Sequence, residues 1–214
     1  DESPTGCWTN HHSIVEYKGQ WYIFYHHNDY SPEFDKNRSA RIDTIGFNPD
    51  GTIIKVIPTL RGVGNSDART QIQIDRYSEI APTASIAYLN EDNKFDGWKT
   101  LFKKSGAWVK YNRVEFGQEP VKQVKFRVLA PKGAKLEVSI AGGKSIATVN
   151  VPRSNNWEIV SAPVKKSPTG LQDLKITLKS GQAEVDWMIF DAKPWTAGGM
   201  QTGKYRNLLA ELGY

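Results

Sequence analysis

The sequence predicts an all-β protein, with a jelly-roll β-sandwich over residues 72–190 and a smaller four-stranded unit before it. Two observations lead to this fold class. Between residues 108 and 190, seven segments alternate apolar and polar residues, as half-buried strands do. Turn-forming clusters rich in Gly, Pro, Asn and Ser separate these segments at intervals of about 8–12 residues, a spacing that is typical of a sandwich.

The smaller unit occupies residues 1–62. Strands are predicted over residues 13–17, 19–26, 40–47 and 52–56, and the run Asn48-Pro-Asp-Gly51 predicts a hairpin turn. Four strands are the content of one blade of a β-propeller, and they are too few to bury a core alone. We therefore expect a propeller-blade remnant, joined to the sandwich by a polar linker over residues 63–71.

The C-terminal stretch, residues 191–214, differs in composition from the sandwich. It contains Pro194 and a Gly pair, and then helix-favouring residues over 205–212. We interpret it as a linker and the start of a further module. The chain also begins without Met, and we expect it to be a segment of a longer protein.

The strand predicted at the end of the sandwich, residues 184–190, carries an acid among apolar residues. Alternation places Val185, Trp187 and Ile189 on one face, and Glu184, Asp186 and Met188 on the other. A carboxylate in such a strand needs a charged partner or a metal. The run 72–75 likewise places oxygen-bearing side chains among Ile residues. We predict that these are the last and first strands of one sandwich, tied together by an ion.

Composition restricts the possible partners of the chain. Its 214 residues carry a net charge of +5, but the Lys residues are scattered through alternating strands, which is typical of a solvated face and argues against nucleic acid. The single cysteine, Cys7, excludes an intrachain disulfide. No apolar run has the length of a membrane span, so no membrane partner is expected. Seven Trp and nine Tyr suit binding platforms, or simply an aromatic-rich sandwich.

The central module resembles the family 6 carbohydrate-binding modules, which are lectin-like β-sandwiches. The resemblance rests on four motifs: Ile-Gln-Ile-Asp-Arg-Tyr-Ser-Glu at 72–79, Gly-Ala-Trp-Val-Lys-Tyr at 106–111, Asn-Asn-Trp at 155–157 and Val-Asp-Trp at 185–187. Residues 10–26 and 37–51 resemble the last blade of family 43 glycoside hydrolases, which are five-bladed propellers. Residues 203–213 are similar to the opening helix of family 8 glycoside hydrolases.

The resemblance implies a sugar cleft at the loop end of the sandwich. Its residues would be Phe102 and Trp157, as stacking aromatics, and Glu184, which would bond sugar hydroxyls; Trp98 could add a wall. Phe102 replaces the family's Tyr or Trp, and Glu184 replaces its Asn, so this cleft could also have changed use. A second site on the concave sheet face stays open. We expect Trp108 to lie in the core, together with Trp187.

The resemblance also implies a structural calcium ion. Position by position, its side-chain ligands would be Gln73, Asp75 and Asp186. Calcium takes six to eight oxygen ligands, and two terminal strands can supply several at once. Gln73 stands where the family usually has Glu, so the site would carry one charge fewer. The alternative is that Asp186 only hydrogen-bonds a turn.

The blade-like unit carries two positions that matter in the resemblance. His11 would lie on the propeller axis near a bound ion, and Arg38 near the catalytic pocket. A zinc site is disfavoured, because adjacent His side chains on a strand point to opposite faces. The acid and base of family 43 come from earlier blades, and we interpret Glu16, Asp35 and Asp43 as surface or turn acids. No catalytic residue is therefore predicted.

Three hypotheses for function follow. The first is a non-catalytic module that targets an attached arabinofuranosidase- or xylosidase-type glycosidase to xylan, arabinoxylan or xylo-oligosaccharides of the plant cell wall. The second is part of an active family 43 hydrolase whose catalytic carboxylates lie outside this chain. The third is a structural spacer between catalytic modules. The resemblance implies a monomer with covalently attached catalytic modules, in a bacterial protein that is secreted, periplasmic or on the cell surface.

Overall fold

A computed structural model describes residues 11–27, 38–59, 61–93 and 96–191. The predicted all-β class is confirmed: within these ranges the chain forms β-strands, and 3-10 structure is confined to short turns such as Ala141–Gly143. Within the same ranges, no helix has the length and apolar character that a membrane crossing requires. The stretch similar to family 8 hydrolases lies outside the described residues.

The N-terminal unit is an antiparallel sheet of β1 (His12–Tyr17), β2 (Gln20–His27) and β3 (Ser39–Ile45), in that order. The predicted fourth strand is reduced to a single bridge between Phe47 and Ile53. The sheet leaves large apolar side chains in solvent on both faces, among them Ile14 and Phe24, which are 42% and 44% exposed. Three strands therefore do not enclose a core by themselves.

Asp43 in β3 is buried, which corrects its interpretation as a surface or turn acid. It is 5% exposed. The hydroxyls of Tyr25 and Thr59 each donate a hydrogen bond to its carboxylate, at 2.6 Å in both cases. The segment after β3 folds back over the face of the sheet that carries Asp43. The buried carboxylate is therefore hydrogen-bonded by donors from both the sheet and this segment, as a buried carboxylate must be.

Two six-stranded sheets form the sandwich. The strands of the first, sheet I, are β5 (Ile72–Gln73), β7 (Ala84–Tyr88), β8 (Trp98–Phe102), β10 (Gln123–Ala130), β13 (Ser154–Pro163) and β15 (Ala183–Phe190). Those of the second, sheet II, are β4 (Ser66–Asp67), β6 (Glu79–Ile80), β9 (Trp108–Glu115), β11 (Ala134–Ile140), β12 (Lys144–Val151) and β14 (Leu171–Gly181). Sheet I has the order β13-β10-β15-β8-β7, with β5 beside β15, and sheet II has the order β12-β11-β14-β9-β4, with β6 beside β9.

The core lies between the two sheets and follows from the alternation in the sequence. Every second residue of β10, for example Val124, Phe126 and Val128, is fully buried, as are the matching residues of β9 and β14. Each large apolar side chain removed from water in this way contributes about 1.5–3 kcal/mol. The buried Tyr111 donates its hydroxyl hydrogen bond to the carbonyl of Ile74 and so ties β9 to the segment after β5.

The predicted contact between the first and last strands is confirmed. Gln73 lies opposite Trp187 in the antiparallel pair of β5 and β15, and the amide of Ile74 donates to the carbonyl of Asp186. Sheet II begins earlier than the sequence indicated, because β4 pairs in parallel with β9 inside the stretch predicted as a linker. Ala68, just after β4, is fully buried in the core.

Strand β15 does not keep one alternation along its length, which corrects the predicted division of its side chains. A β-bulge lies at Asp186: Val128 faces Val185, but Arg127 faces Trp187. After the bulge Met188 is buried, while Trp187 is half-buried on the outer face.

The bulge also explains why Trp187 is absent from the core, where the sequence placed it. Trp108 is likewise half-buried on an outer face, that of sheet II, and the ammonium of Lys175 lies 4.4 Å from its ring centroid. Both predicted core positions are therefore wrong. The neighbours of these tryptophans along each strand supply the buried side chains instead.

Candidate functional site

Four side chains form a row across the outer face of sheet I, near one end of its strands. Leu129 lies opposite Glu184, and Glu184 lies opposite Leu101. Trp157 lies in the irregular part of β13, between the positions that pair with Val128 and Ala130, and its ring contacts Arg127, which shares the outer face of β10 with Leu129. We call Trp157, Leu129, Glu184 and Leu101 the outer-face row. With strands about 4.8 Å apart, it spans roughly 14 Å.

Strand alternation turns this row towards solvent. In β8, Thr100 and Phe102 are buried and Leu101 between them is half-buried on the other side. In β10, Val128 and Ala130 are buried, and Leu129 between them points outward. The row thus combines apolar surface with one carboxylate, the combination that suits a sugar's C–H face and its hydroxyls.

The carboxylate of Glu184 is paired with Lys99 of β8. The ammonium lies 2.8 Å from Oε2, and the side chains of Glu184 and Lys99 are 34% and 19% exposed. Oε1 has no donor among the described residues and can accept a hydrogen bond from a ligand. Glu184 therefore acts as an acceptor whose charge is largely compensated.

Arg127 connects the outer-face row to the bulge of β15. Its guanidinium carbon lies 4.8 Å from the ring centroid of Trp157, and its Nη1 forms an ion pair with Oδ2 of Asp186. The Asp186 side chain is 9% exposed, and that of Arg127 is 32% exposed. The acid that stood out in the sequence is therefore neutralised by an arginine, and the same arginine covers one face of a candidate sugar-stacking ring.

A cavity of about 220 Å³ opens alongside the outer-face row, at the ends of the strands, and shares Leu101, Leu129 and Glu184 with it. We call it the rim cavity. Its floor and walls are apolar, formed by Leu101, Phe102, Leu129 and Pro131. Its polar lining is Glu184, Gln182, Lys103 and Lys132, and both lysines are exposed.

Three turns that are far apart in the sequence enclose the rim cavity. They follow β8, join β10 to β11, and join β14 to β15. Residues from these turns therefore come together only in the folded sandwich.

Of the four residues that the sequence predicted for sugar binding, Trp157 and Glu184 lie in the outer-face row, and Phe102 and Trp98 do not. Phe102 is 1% exposed and belongs to the core, so it contributes to the cavity floor and has no open ring face. Trp98 shares the inner side of β8 with Thr100 and stacks on Tyr88, with ring centroids 4.2 Å apart. A sugar-binding role for any of these side chains stays a prediction.

The three predicted calcium ligands lie on neighbouring segments. Asp75 and Asp186 are 3% and 6% exposed, whereas Gln73 is exposed beside Trp187. The oxygen donors suit a hard cation, but Oδ2 of Asp186 is engaged by Arg127 and Oδ2 of Asp75 lies 3.6 Å from Nε of Arg76. Over the described ranges, no group of three His, Cys, Asp or Glu is placed to hold a metal.

The two positions named in the blade-like sheet lie at its edges. His11 is exposed just before β1, and its ring centroid is 5.8 Å from that of His26. Arg38 is exposed just before β3. Their predicted places near a propeller axis and a catalytic pocket remain predictions.

Sequence reasoning missed Arg127, Leu129 and the two cavity lysines. Alternation in β10 already indicates that residues 125, 127 and 129 share the outer face, so Arg127 and Leu129 could have been assigned to a surface. No sequence signal shows that Lys103 and Lys132 meet, because they lie in different turns 29 positions apart.

Comparison with known proteins finds a carbohydrate-binding module and a similarity to glycosidases. The model of carbohydrate-binding module family 6 matches residues 65–192, more than half of the chain. A xylosidase/arabinosidase of Humicola insolens is 41% identical over 55 residues, which are 26% of this chain and 17% of that protein. The chain thus spans less than a fifth of that relative's length.

Two solved structures share the fold. A family 43 arabinoxylan arabinofuranohydrolase from Bacillus subtilis, solved with cellotetraose, superposes with a TM-score of 0.59 at 22% identity, over 86% of this chain and 41% of that one. A family 6 module from Clostridium stercorarium, solved with cellobiose, gives 0.54 at 23% identity, over 61% and 98%. Residues 65–192 carry the family match, and this chain therefore belongs to carbohydrate-binding module family 6.

Proposed function

We propose that the outer-face row binds a xylan or arabinoxylan chain and so holds an attached family 43 glycosidase on its substrate. The observation that carries this proposal is the placement of Trp157 and Glu184 in one outward row with the apolar Leu129 between them. The names of the related enzymes, a xylosidase/arabinosidase and an arabinoxylan arabinofuranohydrolase, support xylan-type polymers as the ligand.

The chemistry of the row suits a neutral polysaccharide. Indole and leucine side chains offer flat apolar surface to the C–H faces of pyranose rings. Oε1 of Glu184 accepts a hydrogen bond from a ring hydroxyl. Lys99 is paired with Oε2, and the remaining N–H groups of its ammonium can donate to a sugar oxygen. The row is about three strand spacings long, so it contacts more than one sugar ring.

The first test measures binding of the whole chain to xylohexaose, arabinoxylan and mixed-linkage β-glucan by calorimetry and affinity electrophoresis. We expect binding to the xylans. Glu184→Ala should weaken it about three- to tenfold, because one hydroxyl acceptor is lost. Glu79→Ala is the matched control, since Glu79 pairs with Lys110 at the same 2.8 Å on sheet II. Absence of binding to all three polymers would favour a spacer between catalytic modules.

The second candidate, part of an active family 43 hydrolase, is favoured by the 41% identity to a xylosidase/arabinosidase. The test is release of p-nitrophenol from the arabinofuranoside and the xyloside by the chain alone and within its parent protein. Activity in the parent only would place the catalytic carboxylates outside this chain. Activity of the chain alone would contradict the binding-module proposal as the whole function.

We further propose that calcium binds Asp75, Asp186 and Gln73 and links β5 to β15, in a secreted, periplasmic or cell-surface parent protein. Two buried carboxylates on paired segments support the site. Calcium at millimolar concentration should raise the melting temperature of the chain, magnesium should raise it less, and Asp75→Asn should reduce the calcium shift. No shift with calcium would leave Arg127 as the counter-ion of Asp186 in place of a metal.

A further inference from the structure

We propose that the rim cavity binds a sugar that carries a carboxylate, so that the ligand is an acidic xylan bearing uronic acid branches. This inference rests on the proposed function, because it specifies which xylan the outer-face row and the cavity beside it recognise together. It is carried by the charge, the shape and the position of the cavity.

The charge of the cavity is positive. Lys103 and Lys132 line it, both are exposed, and neither has a carboxylate partner among the described residues. The one acid in the lining is Glu184, and its charge is compensated by Lys99 at 2.8 Å. Two exposed lysines without a carboxylate partner in the described part of the chain therefore line the cavity, and their ammonium groups would attract a carboxylate and not a neutral branch.

The shape of the cavity suits one sugar ring. Its volume of about 220 Å³ is below the roughly 300–1,000 Å³ of sites that enclose a drug-sized molecule. Leu101, Leu129 and Pro131 give it apolar walls, on which the C–H face of a pyranose ring can pack. The side-chain nitrogen of Gln182 donates to the carbonyl of Lys103 at 3.1 Å, which leaves its oxygen to accept from a hydroxyl.

The position of the cavity makes it continuous with the outer-face row. Leu129, Glu184 and Leu101 belong to both. A polysaccharide backbone lying along the row would place a branch at the strand ends, where the two lysines stand. The backbone would be held by the aromatic and the acceptor, and the branch by the ammonium groups.

The cavity is framed by closely packed turns. A Cβ on Gly181 would overlap the carbonyl oxygen of Gly133 and lie 2.9 Å from Cα of Ala134. The turn that carries Lys132 is therefore in direct contact with the turn that leads to Gln182. This contact holds the turn of Lys132 against the turn of Gln182, and Gln182 in turn donates to the carbonyl of Lys103, so the backbones that carry the two lysines are linked.

The test compares glucuronoxylan with the same polymer after chemical reduction of its carboxyl groups. Both have the same backbone and branches, and they differ only in the carboxylate. The whole chain should bind glucuronoxylan about tenfold more tightly than the reduced polymer at low salt. That difference should shrink as sodium chloride is raised, because exposed charge pairs are screened.

Variants assign the effect to the cavity. Lys103→Gln and Lys132→Gln should each lower the affinity for glucuronoxylan about threefold, and the double variant about tenfold. None of the three should change the affinity for the reduced polymer. Lys144→Gln is the matched control, because Lys144 is also exposed but lies on β12 of sheet II.

The outcomes separate this inference from the proposed function. Equal affinity for the two polymers, with Glu184→Ala still weakening both, would overturn the uronic acid inference and leave xylan binding in place. No binding to either polymer would overturn both. A preference for glucuronoxylan that survives in the double variant would place the acidic branch elsewhere on the molecule and overturn the assignment to the rim cavity.

Discussion

The guanidinium carbon of Arg127 lies 4.8 Å from the ring centroid of Trp157, while the same guanidinium pairs with Asp186. One arginine thus joins the candidate stacking ring on β13 to the β-bulge on β15. The ion pair fixes the arginine against the sheet, and the arginine in turn supports one face of the indole. Because Trp157 is half-buried, part of its surface remains accessible to a ligand.

Trp157→Ala should lower the affinity for xylohexaose at least about tenfold, since aromatic contacts are among the strongest in a binding site. Trp108→Ala is the matched control: this indole is also half-buried under a cation, Lys175 at 4.4 Å, but it lies on sheet II. Calorimetry on both variants checks the prediction. Equal losses would show that the ligand does not use the outer-face row.

In calcium-free buffer, Arg127→Met should destabilise the sandwich by about 1–3 kcal/mol, because Asp186 would be left nearly buried without a charge partner. The loss is smaller than for a fully buried pair, since the Arg127 side chain is 32% exposed and solvent screens its charge. Urea unfolding measures the change. Adding Asp186→Asn to this variant should recover part of the loss, because the unpaired charge disappears.

Lys179→Met is the control for that experiment. It removes an ion pair with Glu137 at 3.2 Å in which both side chains are more exposed, at 48% and 30%. We expect less than about 1 kcal/mol of destabilisation there. If the two variants lose the same stability, the Arg127–Asp186 pair has no special role in the fold.

Gly181→Ala should destabilise the protein by more than about 3 kcal/mol. Its φ of +78° disfavours any side chain, and the new methyl would overlap the backbone of Gly133. Gly142→Ala has nearly the same φ, +79°, but open space around the added atom, so about 1 kcal/mol is expected. Thermal unfolding of both variants separates backbone conformation from collision, and similar losses would contradict the close contact of the turns.

Asp50 in the N-terminal unit gives a prediction for pH. The side-chain hydrogen bond from Thr52, and then the one from its backbone amide, lower the pKa of Asp50 below its ordinary value of 3.8. Thr52→Val removes the hydroxyl and should raise that pKa, though not fully, because the amide still donates. An NMR titration of the Asp50 carboxyl carbon measures it.

The sign of the pH effect follows from the lowered pKa of Asp50. The ionised carboxylate is favoured in the folded turn, so its stabilising contribution is present above pH 3.8 and is lost as the pH falls through the lowered pKa. In Thr52→Val this contribution should be smaller. An unchanged Asp50 pKa in the variant would show that the hydroxyl does not bond the carboxylate in solution.

Much of the fold could be predicted because it depends on local periodicity. Alternation identified the seven strands from β9 to β15 but not β4, β6, β7 and β8, and the acid in an apolar strand pointed to the contact between residues 72–75 and the last strand. The candidate site was predicted only in part. Trp157 and Glu184 lie in one row, but Phe102 is inside the core and Trp98 is on the inner side of β8.

Alternation at every second position was enough to predict the all-β class and the sandwich, because one set of side chains must lie inside. The family was indicated by four short motifs, and the contacts at the candidate site depend on the folded arrangement. A one-residue bulge at Asp186 changes which side chains of β15 face outward, and cross-strand register alone determines that Arg127 meets both Asp186 and Trp157. The rim cavity exists only because distant turns pack together, and no local pattern encodes that contact.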